Sequence, residues 1–378
     1  MTYVMDALHK IERPFKRTLS GLLRLIAGSA PLQVAPTAMV RRILVVRQHN
    51  QLGDMLCVIP LLRQLKESYP GVWISLVASP VNASVMANNR YLDDVILYDK
   101  TRYLTGGRLH LLAFRRFVQG LRVRAYDLAI VPGTVSTSLT SDLLAYLSGA
   151  PIRVGVRSLE GRENPAGFLF NLARDLDWSS DPRRHQTLRN ADIMGGMIPA
   201  PRDLHCELTL TAEELEKGRR WITERTSGTA KRVAFHPGAG KPPNRWPVEK
   251  FAALGKALRK TWGAELFVTE GPMDHEVSQL LVSTLNDRVE LIAGKGIRDV
   301  ASILSTMDLV VSNDTGVMHV AAAVGVPVVS LFGPTDPYQW APVTPGNRWI
   351  KSRGEDVSEV SVEVVVAACD DLLGGIRV

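Results

Sequence analysis

The chain is poor in cysteine. Its three, Cys57, Cys206 and Cys369, stand far apart in 378 residues and form no C-x-x-C pair. That spacing excludes a disulfide-stapled scaffold and a zinc knuckle, and it suits a reducing compartment. No apolar run reaches the roughly 20 residues that a bilayer-spanning helix needs. Several nucleotide and metal signatures also fail. "HPGAGK" (236–241) is not a Walker loop, because Phe235 and Pro242 stand where Gly and Ser or Thr are required. Pro243 occupies the third glycine position of a G-x-G-x-x-G fingerprint. H-E-x-x-H is absent. One D-x-D triplet, Asp175–Asp177, is what chance supplies at this length, so no metal site is assigned.

Basic charge is present and unevenly placed. The net charge is +7, and residues 1–42 hold seven Lys and Arg against two acids. Residues 101–126 carry six Arg and no acid. Such segments attract anionic surfaces, whether lipid, nucleic acid or a phosphorylated glycolipid. The interleaved aromatics of a nucleic-acid module are missing, so no nucleic-acid partner is expected. Within the first basic segment, Leu8, Ile11, Phe15, Leu19, Leu22 and Ile26 follow helical spacing. This pattern fits a membrane-surface helix or one packed on the body of the protein. "AGSA" (27–30) resembles a signal-peptide cleavage site, but Arg24 interrupts the apolar stretch before it.

The length allows two domains with separate cores. After residue 41 short β-branched runs alternate with helical stretches. Strands are expected at 42–46, 73–78, 95–98, 127–131 and 153–156, with helices at Met55–Tyr69 and Ser138–Leu147. The series restarts at 232–236, 265–269, 289–293, 309–312 and 327–332. Two βα series predict two doubly wound parallel sheets, whose ligands bind beyond the carboxyl ends of the strands. "RQHNQLGD" (47–54), "HPGAGKPPNRW" (236–246) and "SNDTG" (312–316) lie at such ends.

A helix start reading Asp314-Thr315-Gly316 has two meanings. Asp314 or Thr315 caps the helix, or the free N–H groups hold an anion such as a phosphate. Asp54, after the first strand, is likewise a cap or a general base at a site mouth.

Four blocks resemble glycosyltransferase family 9, the lipopolysaccharide heptosyltransferase family. They are Arg47 through "LGD" to "IPLLRQLKESYP", "RRHQTLRN" (183–190), "HPGAG…RWPVEKFAAL" (236–254) and "SNDTGVMHVAAAVGVPVVSLFGPTDPYQWAP" (312–342). The resemblance implies a GT-B fold: two Rossmann-like doubly wound parallel-sheet domains facing a cleft. The division it suggests is a basic extension (1–41), an acceptor-side domain (42–205), a hinge region (206–230), a nucleotide-sugar-binding domain (231–350) and a tail helix (351–378) returning to the first domain. It implies an inverting, metal-independent transfer with no cofactor. Heptose from ADP-heptose would go to a lipopolysaccharide-core or related glycolipid acceptor, at the cytoplasmic face of the inner membrane, in peripheral contact with anionic lipid.

By the same resemblance Asp54 is the catalytic carboxylate. The donor diphosphate would lie on Asp314, Thr315, Gly316 and His319, with Gly238 and Ala239 from the other loop. Glu276 would hold the ribose. Gly53, Arg115 and Arg116 are assigned to the acceptor, the two Arg by charge complementarity. One departure bears on the donor. The family often has Lys-Arg or Lys-His before the Trp-Pro, and here Asn244 and Arg245 stand there. Lys241 or Arg245 would then neutralise the diphosphate. Transfer of another nucleotide-diphosphate sugar, a nucleotide-sugar epimerase of the same fold and a non-catalytic binding protein are the alternatives.

Overall fold

The computed structural model describes residues 40–48, 51–105, 108–226, 228, 230–286 and 288–374. The amphipathic pattern at 8–26 lies outside them. The described chain divides into two compact units. The first comprises residues 40–48, 60–83 and 91–202, and the second 51–59, 84–90 and 203–374. Among the described residues no helix is long and apolar enough to cross a membrane.

In the first unit, strands β1 (Arg42–Val46), β2 (Trp73–Ala78), β3 (Asp94–Leu97), β4 (Leu128–Ile130), β5 (Ile152–Leu159) and β6 (Leu172–Leu176) form one sheet in the order 3-2-1-4-5-6. These six pair in parallel, with an irregularity between Val156 and Ser158. The order reverses between β1 and β4. There Arg47, buried at the end of β1, donates from Nη1 to the Pro132 carbonyl (3.1 Å) and from Nη2 to Thr134 Oγ1 (3.4 Å) beyond β4.

The predicted helix at 55–69 is two helices, α1 (Leu52–Leu56) and α2 (Ile59–Ser68). Pro60 explains the break. It lacks an N–H and fits only the first turn of a helix, so α2 must start afresh there. The Arg-rich stretch holds α3 (Leu111–Arg122), whose Phe114 and Phe117 pack on the core of Leu44, Val46, Tyr98, Tyr103 and Leu121.

Helix α4 (Leu139–Leu147) is capped by Ser138, whose Oγ accepts the Ser141 N–H, and α5 (Gln186–Asp192) by His185, whose Nδ1 accepts the Thr187 N–H. Asp142 of α4 is buried, with no cation paired to it among the described residues. Asn164 Nδ2 donates to its Oδ2 (3.0 Å), and burial pushes its pKa up to about 7. Between about pH 4 and pH 7 the native state therefore holds a proton that the unfolded chain has released. Stability falls with rising pH across that window, and the loss is complete above it. Asp142→Asn keeps the acceptor oxygen. It is expected to leave stability at pH 4 nearly unchanged and to raise it by a few kcal/mol at pH 8, as read from urea midpoints at the two pH values. Equal pH dependence in both proteins would contradict the assignment.

The second sheet repeats the topology. Strands β7 (Arg232–His236), β8 (Glu265–Thr269), β9 (Val289–Ile292), β10 (Leu309–Asn313), β11 (Val328–Phe332) and β12 (Asn347–Lys351) run parallel in the order 9-8-7-10-11-12. Alternate residues feed opposite faces, as strand geometry requires. Val233, Phe235, Leu266, Val268, Leu309 and Val311 pack with α7 (Val248–Trp262). Ala234, Phe267, Val310 and Val328 pack with α9 (Ile297–Leu304) and α10 (Gly316–Ala323). Helix α8 (His275–Leu285) adds Leu281 and Leu285 to the first of these faces.

Two parts of the sequence reading change here. The stretch 206–230, read as a hinge region, folds within the second unit. Its helix α6 (Ala212–Thr223) starts with a reciprocal Thr211–Glu214 capping box. Arg298 on α9 then grips both Glu214 oxygens (2.5 and 2.6 Å) and the carbonyls of Ser84 and Thr209. The tail helix α11 (Val362–Leu373), expected to return to the first domain, packs on the second. Val365, Cys369 and Leu373 join the core formed with α7, and Trp262 Nε1 donates to Asp370 Oδ1 (2.6 Å). An amphipathic tail declares an apolar face but not the partner that covers it.

Candidate active site

The second sheet reverses order between β7 and β10, the place where doubly wound sheets bind ligands. The loops leaving these strands are 237–247 and 314–315. One fully buried side chain, Asn313, joins them. Its Nδ2 donates to the carbonyls of Pro237 (2.9 Å) and Gly238 (3.3 Å), and its Oδ1 accepts the Trp246 N–H (3.1 Å). Asn313 thus closes both ends of the "HPGAG…RW" loop from the strand that opens the "DTG" turn.

The start of α10 settles which residue occupies the cap position. Thr315 does, with an extended backbone, but its side chain makes no capping bond. Asp314 does not present its N–H to an anion, because that group donates to the Leu331 carbonyl (3.0 Å). Its carboxyl is hydrogen-bonded by Thr335, and burial pushes its pKa up. The sequence assigned Asp314 to a diphosphate, whereas the structure makes it an anchor for the loop after β11. The N–H groups of the first turn of α10 have no carbonyl within the helix to bond.

Helix α1 lies on that first turn. A Cβ placed on Gly316 would sit 2.9 Å from Leu52 Cβ, and one on Gly53 would sit 2.6–2.8 Å from His319 Cδ2 and Nε2. At both positions the absence of a side chain leaves room for the α1–α10 contact, and Gly53 is helical. The contact brings Gly53 and the neighbouring Asp54, which is half-buried, to the His319 end of the "DTG" turn. Gln51, not Asp54, holds the N-cap position of α1.

This contact predicts a coupling. Gly53→Ala is expected to destabilise the protein by about 1–3 kcal/mol, the usual cost of overpacking. In a His319→Ala background the same substitution should cost almost nothing. A double-mutant cycle of urea midpoints measures this, and additive costs would contradict the contact.

The other assigned residues fall as follows. Ala239 is buried, and its carbonyl accepts Arg245 Nε (2.8 Å), leaving the guanidinium Nη groups of Arg245 without a partner among the described residues. Lys241 is exposed at the start of the 3-10 turn Pro242–Asn244. Asn244 Oδ1 is enclosed without a donor among the described residues. Glu276 is exposed in the first turn of α8. Arg115 and Arg116 are exposed on α3 of the first unit. In the D-x-D triplet, Arg157 and Ser158 both bond the Asp175 carboxylate and hold its pKa down at about 2.

A buried group behind the loop was not anticipated. His236 Nδ1 lies 2.9 Å from Thr269 Oγ1, which donates onward to the Phe235 carbonyl (3.3 Å), so the network assigns the proton to Nδ1. Burial pushes the His236 pKa down, against the pull of Asp274, whose Oδ2 lies 3.8 Å from Nε2. The Asp274 carboxyl fills the space that a Cβ on Gly238 or Gly271 would need. A side chain at Gly238 would have to displace that carboxyl. His236 and Asp274 are 38 residues apart, so only the β7–β8 pairing reveals them.

Comparison with known proteins agrees with this topology. The sequence model of glycosyltransferase family 9 (heptosyltransferase) matches residues 114–364. Lipopolysaccharide heptosyltransferase 2 of Salmonella typhimurium is 30% identical over 294 residues, which is 75% of this chain and 81% of that protein. The family 9 glycosyl transferase of Veillonella parvula superposes with a TM-score of 0.77 at 21% identity, covering 90% of this chain and 99% of that one. E. coli ADP-heptose lps heptosyltransferase II gives 0.73 at 24% identity, covering 88% and 98%. With two Rossmann-ordered sheets and a family match over most of its length, the chain belongs to glycosyltransferase family 9, has the GT-B fold and is a glycosyltransferase.

Proposed function

We propose that the protein transfers heptose from ADP-heptose to a lipopolysaccharide-core or related glycolipid acceptor, with inversion and without a metal. The observation that carries this reading is the α1–α10 contact, which gathers Asp54, Thr315, Gly316 and His319 at one end of the second sheet. The names of the Salmonella and E. coli relatives supply the sugar, the nucleotide and the lipopolysaccharide setting.

In this scheme the acceptor hydroxyl oxygen attacks the anomeric carbon from the side opposite the diphosphate. Its proton passes to the Asp54 carboxylate as the new C–O bond forms. The bond from the anomeric carbon to the diphosphate oxygen breaks, and ADP leaves with that electron pair. N–H groups at the start of α10, with His319, Arg245 and Lys241, stabilise the charge that grows on the leaving group. Glu276 binds the ribose, and Arg115 and Arg116 meet anionic groups of the acceptor. The reaction runs at the cytoplasmic face of the inner membrane, with the basic segment 1–41 contributing lipid contact.

Incubation with ADP-heptose and a heptose-deficient lipopolysaccharide core, with and without EDTA, tests the scheme. Equal turnover in both, with an anomeric configuration opposite to the donor's, is the expected result. Turnover only with UDP-, GDP- or dTDP-linked sugars would sink the donor assignment. Consumption of donor with no product on lipid would favour an epimerase.

A further inference from the structure

We infer that the outward face of α3 is a docking surface for an anionic lipid bilayer. The helix is apolar on both sides. Its inner side is already used, with Phe114 and Phe117 against Tyr103 at 5.8 and 5.6 Å between ring centroids, and Leu121 buried. Its outer side still carries Leu111, Leu112 and, at the C-cap, Val123, exposed by 66%, 74% and 79%. Exposed Arg115, Arg116, Gln119 and Arg122 lie among them. At about 100° per residue these seven positions fall within an arc of roughly 140°.

Single exposed leucines are ordinary, but here Leu111 and Leu112 at the start of α3 and Val123 at its end share one arc with the Arg side chains between them, an amphipathic face that calls for a partner. Charge selects which partner. Residues 101–126 hold six Arg and no acid. Arg124 is spent on Asp94 (3.1 Å), and Arg122 Nε is tied to the Leu147 carbonyl (3.0 Å). Arg115 and Arg116 enter none of the ion pairs among the described residues. Apolar and guanidinium groups interleaved along one helix, about 18 Å long at its 12 residues, match the acyl–headgroup boundary. There the Leu side chains leave water while the Arg side chains meet lipid phosphates. A soluble anionic saccharide would use the Arg and leave the Leu in water.

The inference extends the reading of a glycolipid acceptor. Its test uses neither donor nor acceptor, so the two can fail separately. The full chain is floated with vesicles of phosphatidylcholine, with or without phosphatidylglycerol. All variants keep residues 1–41. Leu111→Ser with Leu112→Ser, and separately Arg115→Gln with Arg116→Gln, are each expected to lower partition onto the anionic vesicles by roughly tenfold or more. Both positions are exposed, so melting temperatures should stay at the parental value. Unchanged partition in either double variant overturns the inference. So does a lower sedimentation coefficient of the Leu variant without lipid, which would make this face a contact between copies of the chain.

Discussion

Asp54→Asn is expected to lower kcat by about 10²–10⁴-fold, the range a positioned general base contributes, while donor Kd stays close to the parental value. Asn has the same shape and cannot take the proton. The remaining role for Asp54, stabilising its own helix, makes the opposite forecast: nearly full turnover in Asp54→Asn and a stability loss near 1 kcal/mol in Asp54→Ala. Gln51 holds the N-cap position of α1, so that role would act from the first turn, where Asp54 stands. Donor affinity is the control. Asp54 follows Gly53, which touches His319, so a collapsed α1 would raise donor Kd together with the loss of rate. Turnover, calorimetric donor Kd and melting temperature for Asp54→Asn and Asp54→Ala separate these cases. Retention of more than about a tenth of kcat in Asp54→Asn would remove it from the role of base.

Most strands of both sheets were legible because short β-branched runs bounded by turn residues have few other uses. "RILVV", "WISLVA", "RVAFH" and "ELFVT" form strands over the same residues. Helix boundaries were less legible where one residue decides them, as Pro60 does between α1 and α2. Strands β6 and β12 and the burial of α11 on the second sheet were not legible, because periodicity shows that a face is apolar without showing what it meets.

The candidate site divides in the same way. Its loops were visible as polar, Gly-rich segments after strands. The reasons for individual residues were not. Gly53, Gly238 and Gly316 stand in motifs assigned to the acceptor or the donor. At each, an added Cβ would also meet a side chain distant in sequence: His319, Asp274 and Leu52. Asp314 looked like a cap and proves to be tied to a neighbouring loop. No motif marks Asn313, the second residue of "SNDTG", because a buried carboxamide is recognised by what it bonds.

That residue gives the second large effect. Asn313→Asp keeps the shape of the side chain but turns its donating Nδ2 into an acceptor. An ionised carboxylate would then face the Pro237 and Gly238 carbonyls from a fully buried position. The loss is expected to be roughly 3–5 kcal/mol at pH 8, the range for an unpaired buried charge. Burial and the two carbonyls raise the pKa of the new carboxyl in the folded state, while the unfolded chain titrates near 4. Between those values the native state holds the extra proton, so the deficit grows as pH rises and shrinks as it falls. Near pH 5 the protonated carboxyl donates to one carbonyl and restores part of the clamp. Asn313→Ala provides the contrast, with a loss of about 1–3 kcal/mol that does not vary with pH, because it leaves the carbonyls and the Trp246 N–H unpaired without adding a charge. Donor affinity should fall in both variants, since the loops on either side of the switch point lose their common anchor. Urea midpoints at pH 5 and pH 8, with donor Kd by calorimetry, measure all of this. A pH-independent Asn313→Asp with parental donor affinity would show that Asn313 does not hold the two loops together.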